Sequence, residues 1–238
     1  MARRRFFVPE IRSGTATLAG EAAHHLTRVL RIEKGQKYEI FDNREVWLAE
    51  VDAAQRDLVT FRALERLDAP EPPVHTALYV ALIRFERIEL LVEKATELGV
   101  GSIVFFAAKR SEKGLDRAAS KRMERWRRIA REASEQSRRV RLPEIAGPIA
   151  FQEALDAAEG LRLLLDESPD PRPLLAALPA DRVSVLVGPE GGWTDRERTL
   201  AQESGWRSVS LGSSILRTET AAIAALAVIQ ATSQPPSG

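Results

Sequence analysis

Two textures divide the chain. In the first part, short runs of alternating apolar and polar residues dominate. Arg4 to Val8, Lys37 to Phe41, Val46 to Asp52 and Leu58 to Leu64 carry β-branched and aromatic residues between turn signals such as Lys34-Gly35 and Asp42-Asn43. That period of two predicts strands. Between the first two, Glu21 to Leu30 sets Ala22, Leu26, Val29 and Leu30 at helical spacing and predicts one short helix. Together they describe a small β-rich module, best read as a barrel. It ends at Asp68-Ala69-Pro70-Glu71-Pro72-Pro73, where three prolines break any helix or central strand and form a semi-rigid connector. The expected domains are therefore residues 1–70 and 74–238.

Beyond the prolines, apolar runs alternate with helical periodicity. Thr76 to Leu82 predicts a strand, Phe85 to Leu98 a helix stopping at Gly99, Ile103 to Phe106 a strand, and Ser120 to Ser137 a long basic helix. Leu161 to Leu165 and Val183 to Val187 are nearly all apolar, the mark of strands covered on both faces. A helix from Thr194 to Ser204, a strand from Ser208 to Leu211 and a helix from Thr218 to Gln230 complete the pattern. Alternating strands and helices imply an α/β fold with a mostly parallel sheet, whose ligands sit beyond the carboxyl ends of the strands. There is no internal repeat, and the tail Pro235-Pro236-Ser237-Gly238 is expected to fray.

Composition narrows the chemistry. The 238 residues include no cysteine and three histidines, which excludes a disulfide framework, a thiolate metal site and a cysteine nucleophile, and disfavours a histidine metal centre. No metal is expected. The N-terminus MARRRFFVPE has no apolar core of a secretory signal, and the longest apolar run, Ala221 to Ile229, is too short to span a bilayer. A soluble, cytoplasmic protein with no membrane partner is the expectation. The net charge of +1 conceals a basic stretch: Lys109 to Arg141 holds thirteen basic residues against five acidic ones, and Arg3, Arg4 and Arg5 form a second cluster. Such arginine clusters suit phosphate, though a solvated helix face has the same composition.

Three strand ends carry the candidate chemistry. Val185 to Val187 runs into Gly188-Pro189-Glu190-Gly191-Gly192, and a helix then opens with Thr194 and its capping-box partner Glu197. Glycines there let backbone N–H groups approach a ligand closely, but no phosphate-loop or dinucleotide spacing follows. A second strand ends at Leu211-Gly212, followed by Ile215-Leu216-Arg217-Thr218-Glu219-Thr220-Ala221. Arg217 opens a helix where the macrodipole disfavours a cation, so it is either a phosphate or substrate clamp or a structural partner of Glu219 or another acid. A third strand end, Leu165-Asp166-Glu167-Ser168, would join them if the strands are neighbours. Such a pocket suits an adenosine-bearing ligand held by main-chain groups.

The paired C-terminal motifs, Gly188 to Gly192 and Leu211 to Ala221, resemble the SPOUT class of methyltransferases, and within it the RsmE family. Arg4-Phe6-Phe7-Val8, His24 to Arg31, Glu93 to Gly99, Glu135-Gln136-Ser137 and Leu142 to Ile145 match in colinear order. Two departures stand out: Arg84-Phe85 replaces Lys-Gly, and Gln136-Ser137-Arg138-Arg139 replaces Gln-Ser-Gly-Arg. The resemblance implies a small PUA-like β-barrel before a trefoil-knotted α/β methyltransferase domain, acting as a homodimer. It implies S-adenosylmethionine as cofactor, held by Leu165, by Gly188, Pro189, Glu190, Gly191 and Gly192, and by Leu211, Gly212, Ile215, Leu216, Arg217, Thr220 and Ala221. It implies methylation of uridine N3 in small-subunit (16S) ribosomal RNA, free or in the assembled 30S subunit.

Methyl transfer to nitrogen is one in-line displacement and needs no covalent enzyme intermediate, which agrees with the missing cysteines. Arg217 is the candidate for stabilising the developing uracil anion, and Glu219 or Glu190 for taking the N3 proton, although either acid also suits a structural acceptor. RNA would meet Arg3, Arg4, Arg5, Arg28, Arg84, Arg138 and Arg139. Trp126 fits a base-stacking role less well than a core position. The rival readings are a SPOUT ribose 2′-O-methyltransferase, a non-catalytic RNA-binding protein and a metabolic nucleotide enzyme. The last is disfavoured by the missing phosphate loop.

Overall fold

Alternation in the N-terminal residues produces six strands and one helix. They are β1 (Arg5–Phe7), β2 (Ile11–Arg12), β3 (Thr15–Ala19), α1 (Glu21–Arg28), β4 (Lys37–Phe41), β5 (Val46–Gln55) and β6 (Leu58–Leu67). The computed structural model describes residues 3–69, 72–167 and 172–232. Pro70 and Glu71 of the connector, Ser168 and the tail after Thr232 lie outside the described residues. The strands pair in the order β1-β4-β5-β6-β3-β2, with β1 and β4 parallel and the other pairs antiparallel. Inward positions Phe6, Leu18, Ile40, Val51 and Phe61 pack with Leu26 of α1 into one core. β3 escapes the sequence reading because TATLA turns only Ala16 and Leu18 inward, too little apolar volume to stand out.

Ser134–Leu142 belongs to this unit together with Met1–Glu71, whereas the sequence places that stretch in the second domain. The connection is polar. Arg5 is 7% exposed and donates to Glu39 from Nε (3.0 Å), with Nη2 at 2.9 Å. Its Nη1 donates to the carbonyls of Arg138 and, at 3.2 Å, Arg139. Arg138 in turn donates to the other oxygen of Glu39. Glu135 accepts from the Phe7 amide (3.0 Å) and Asn43 from the Leu142 amide (2.8 Å). Two guanidiniums offset the cost of burying this carboxylate, so losing either one leaves the Glu39 side chain short of a partner.

The second unit, Pro72–Ala133 with Pro143–Gly238, is a parallel α/β sheet. Its strands are β7 (His75–Ala81), β8 (Ser102–Ala107), β9 (Glu144–Ala150), β10 (Leu161–Leu165), β11 (Arg172–Pro173), β12 (Arg182–Val187) and β13 (Arg207–Ser210). Its helices are α2 (Phe85–Glu97), α3 (Leu115–Ala119), α4 (Met123–Gln136, whose last residues count with the first unit), α5 (Phe151–Asp156), α6 (Asp195–Glu203) and α7 (Thr218–Thr232). The order is β11-β13-β10-β12-β7-β8-β9, and every pair is parallel. The pleat divides the core. Leu78, Val80 and Leu82 pack with α2, α4 and α7, while Tyr79 and Ala81 face Leu155 of α5 and Ala201 of α6.

The predicted helix from Ser120 to Ser137 is α4 preceded by the short α3 and a 3₁₀ turn at Ser120–Arg122. Trp126 is fully buried, with its ring 4.7 Å from Phe105 and 5.8 Å from Phe85, so its role is core packing. Beside it, Gly147 has a φ of +99°, and a Cβ there would stand 2.3 Å from the Phe105 carbonyl oxygen where β8 and β9 shift register. Gly147→Ala is therefore expected to cost about 2–3 kcal/mol and lower Tm by several degrees. An unchanged melting curve contradicts that reading.

Candidate active site

Three strands, β13, β10 and β12, are immediate neighbours, and being parallel they end on the same edge. The segments that leave them, after Leu165, Val187 and Ser210, therefore converge on one cavity of about 590 Å³ that is open to solvent. Its walls are mostly apolar side chains and backbone, the usual make-up of a small-molecule site.

The glycine loop is shaped from two sides. Trp193 closes it from within: the ring is 3% exposed, stacks on Phe106 and donates from Nε1 to the Leu165 carbonyl (2.9 Å). A Cβ on Gly188 would lie 2.8 Å from that ring, so only glycine lets the strand end and the tryptophan meet. Arg110 holds it from outside, donating from Nη1 to the carbonyls of Gly191 (2.9 Å) and Trp193 (3.1 Å). Thr194 and Glu197 form the predicted capping box, and Glu197 also accepts from the Lys109 amide (2.8 Å). At the end of β10, Asp166 is 6% exposed and accepts from Arg198 Nε (3.0 Å) and Ser208 (3.3 Å), which ties α6 and β13 to the cavity floor.

The start of α7 carries the charges. Thr218 donates to the Gly188 carbonyl (2.9 Å), joining helix and glycine loop. Arg217 is the residue before the helix, and its carbonyl accepts from the Ala221 amide (2.8 Å). Its side chain is exposed and has no ion pair among the described residues, so the structural pairing with Glu219 is not made. Glu219 is 5% exposed and instead faces Arg87, whose Nε is 3.9 Å from its Oε1, while Oε2 has no hydrogen-bond partner. Arg87 also pairs with Glu190 of the glycine loop. One arginine of α2 thus links both acids.

The expected cofactor residues separate into groups. Leu165, Gly188, Pro189, Gly192, Leu211, Leu216 and Ala221 line the cavity. Glu190 and Gly191 line a second cavity instead. Gly212, Ile215, Arg217 and Thr220 are exposed and lie outside the lining. Asp166, Glu167, Trp193, Arg198, Ser214 and Thr218 also line it, and Arg87 and Arg110 brace it. Trp193 and Thr218 sit inside or beside the quoted motifs. Arg87 and Arg110 carry no signal, since only the fold brings them to the loop.

Among the expected RNA contacts, Arg3, Arg4, Arg28 and Arg84 are exposed. Arg5 is a correction: buried on Glu39, its guanidinium is not available to phosphate. Arg138 shares the same carboxylate but keeps 42% of its side chain exposed. Arg139 is partly buried, and desolvation pushes its guanidinium down to about 10, still cationic at neutral pH. Along α4, Arg125 forks onto Glu89 and holds that carboxyl below its usual range, and Arg127 and Arg128 pair with Glu124 and Glu132. The basic stretch is therefore partly neutralised. No group of three His, Asp or Glu side chains among the described residues is placed to hold a metal ion, and no helix is long and apolar enough to cross a membrane.

Fold and site define a two-part RNA methyltransferase. Residues 18–64 match the RNA methyltransferase PUA domain, and residues 70–230 match the RNA methyltransferase domain. The sequence is 36% identical to the ribosomal RNA small subunit methyltransferase E of Synechocystis over 97% of this chain and 78% of that protein. It is 31% identical to the Aquifex aeolicus protein of the same name, over 94% and 97%. The structure of the Neisseria gonorrhoeae enzyme bound to S-adenosyl methionine superposes with a TM-score of 0.88 at 31% identity, covering 97% of this chain and 98% of that one. A Legionella pneumophila methyltransferase in complex with the same cofactor gives 0.87 at 31% identity, covering 98% of both chains. The chain belongs to the ribosomal RNA small subunit methyltransferase E family.

Proposed function

We propose that the protein methylates N3 of a uridine in small-subunit ribosomal RNA, using S-adenosylmethionine bound in the cavity at the ends of β10, β12 and β13. The observation that carries this reading is the convergence of three strand ends around a glycine loop that leaves no room for a Cβ on Gly188. The residues present fit the cofactor. Apolar walls at Leu165, Leu211 and Leu216 suit an adenine ring, backbone groups of the loops suit its edge, and Glu167 at the rim suits a cationic end.

Bound S-adenosylmethionine supplies an activated methyl group. The chain's own work is to orient the uracil for in-line attack and to manage one proton. Arg217, unpaired and next to the cavity residues Leu216 and Thr218, stabilises the negative charge that develops as N3 loses its proton. Glu219 and Glu190 are the acids at hand. Oε2 of Glu219 is sealed from solvent, so it acts on the substrate only if the start of α7 adjusts; Glu190 is engaged by Arg87 and lines the neighbouring cavity rather than this one. RNA is met by Arg3, Arg4 and Arg28 of the first unit and by Arg84 of the second. The active form is a homodimer in the cytoplasm, and the 81% exposure of Ile215 beside the cavity agrees with a surface covered in the dimer.

Titration of the full chain with S-adenosylmethionine tests the cofactor assignment: one site per chain is expected, and no binding contradicts it. Gly188→Ala forces Trp193 aside, an overpacking of about 1–3 kcal/mol, and is expected to raise the cofactor Kd roughly tenfold. Affinity for small-subunit RNA is expected to fall steeply with salt, and Arg3→Ala with Arg4→Ala to flatten the log–log slope by about one unit each. An unaltered slope removes those two arginines from the RNA surface.

A further inference from the structure

On the far stretch of the glycine loop lies a second cavity, also about 590 Å³ and open to solvent, to which neither the motifs nor the cofactor site assigns a ligand. It shares Pro189 with the cofactor cavity, but takes Glu190 and Gly191 where the other takes Gly188 and Gly192. Its exposed apolar surface comes chiefly from Leu115 of α3, since Leu82 and Ile83 at the end of β7 are buried beneath it. Its cations are Arg84 and Arg110, and neither has an ion pair among the described residues. Arg110 spends one nitrogen on the loop carbonyls, which neutralises no charge. Of the two acids at the rim, Glu190 is matched by Arg87, which leaves Glu112 against two arginines.

A mostly polar cavity with two unpaired guanidiniums and one aliphatic side chain is complementary to a nucleotide, whose phosphate takes the guanidinium forks while its base rests against the aliphatic side chain. We infer that this cavity holds a nucleotide of the substrate RNA flanking the methylated uridine, with its base against Leu115 and its phosphate on Arg84 and Arg110. The flanking position follows from the loop. A base seated against Glu190 and Gly191 is not in the cavity where methyl transfer takes place, whereas its neighbour in the strand reaches across Pro189. Arg110 then has a double role, because the residue that shapes the cofactor loop also receives the RNA. This inference rests on the RNA methyltransferase reading above.

The test is equilibrium dialysis of the full chain, saturated with S-adenosylhomocysteine, against uridine 5′-monophosphate and uridine. The nucleotide is expected to bind at least tenfold more tightly than the nucleoside. Arg84→Met and Ser111→Glu, the latter placing a carboxylate in the cavity without touching the loop, are each expected to abolish that difference. Both variants should keep the wild-type cofactor Kd and raise KM for small-subunit RNA at least tenfold with kcat little changed. Equal binding of nucleotide and nucleoside by the wild type, or an undiminished preference in both variants, overturns the inference. A wild-type chain that prefers the nucleotide but transfers no methyl to small-subunit RNA leaves the cavity assignment standing and overturns the functional reading instead.

Discussion

Arg217→Ala is expected to lower turnover on small-subunit RNA by roughly 10²–10³-fold, the usual effect of removing one donor aimed at developing charge. A guanidinium at the N-terminal end of a helix is repelled by the macrodipole. Here no carboxylate among the described residues pairs with it, and Glu219, two residues on, faces Arg87 instead. A side chain left exposed and uncompensated beside a ligand cavity costs stability unless a ligand uses it. Because Arg217 is not part of the cavity lining, the cofactor Kd should stay within a few-fold of wild type. Arg217→Lys keeps the charge but loses the planar fork and should fall between the two. Single-turnover measurements with saturating RNA give the rate, and an unchanged rate removes Arg217 from the reaction.

The second large effect concerns the first unit. Arg5→Met leaves Glu39 buried with only the half-exposed Arg138 as partner, which is expected to cost about 3–5 kcal/mol. The same substitution removes both side-chain bonds to the carbonyls of Arg138 and Arg139. Amide exchange across residues 138–141 should accelerate along with the loss of stability. Arg5→Met combined with Glu39→Leu removes the stranded charge and is expected to recover most of the stability without restoring protection of the segment. If the single variant is as stable as wild type, the triad does not anchor Ser134–Leu142. The cofactor Kd, set in the other unit, should not change.

Sequence reading reaches elements with large apolar faces and stops at contacts between residues distant in the chain. Period-two and helical spacing located β4, β10 and α2 nearly to the residue, because each buries large aliphatic side chains on one or two faces. β3 and β9 were missed. The first has little inward volume, and the second runs through Gly147 and Pro148, residues that read as a turn. Glycines after an apolar strand point to a loop that lines the cavity, and the breach of the macrodipole rule singles out Arg217, which is exposed and has no ion pair among the described residues. In contrast, Arg5 looks in the sequence like its exposed neighbours Arg3 and Arg4. Only the parallel pairing that sets it opposite Glu39 separates a buried strut from an RNA contact. Arg87, Arg110 and Arg198 were invisible for the same reason, since their partners lie 103, 81 and 32 residues away in the chain.

The most direct measurement is methyl transfer to small-subunit particles that lack the modification, with the product nucleoside identified by mass spectrometry. The predicted result is N3-methyluridine, formed only with S-adenosylmethionine and lost with Arg217→Ala. A ribose 2′-O-methylated nucleoside, or no methylated product from a chain that binds the cofactor, would contradict it.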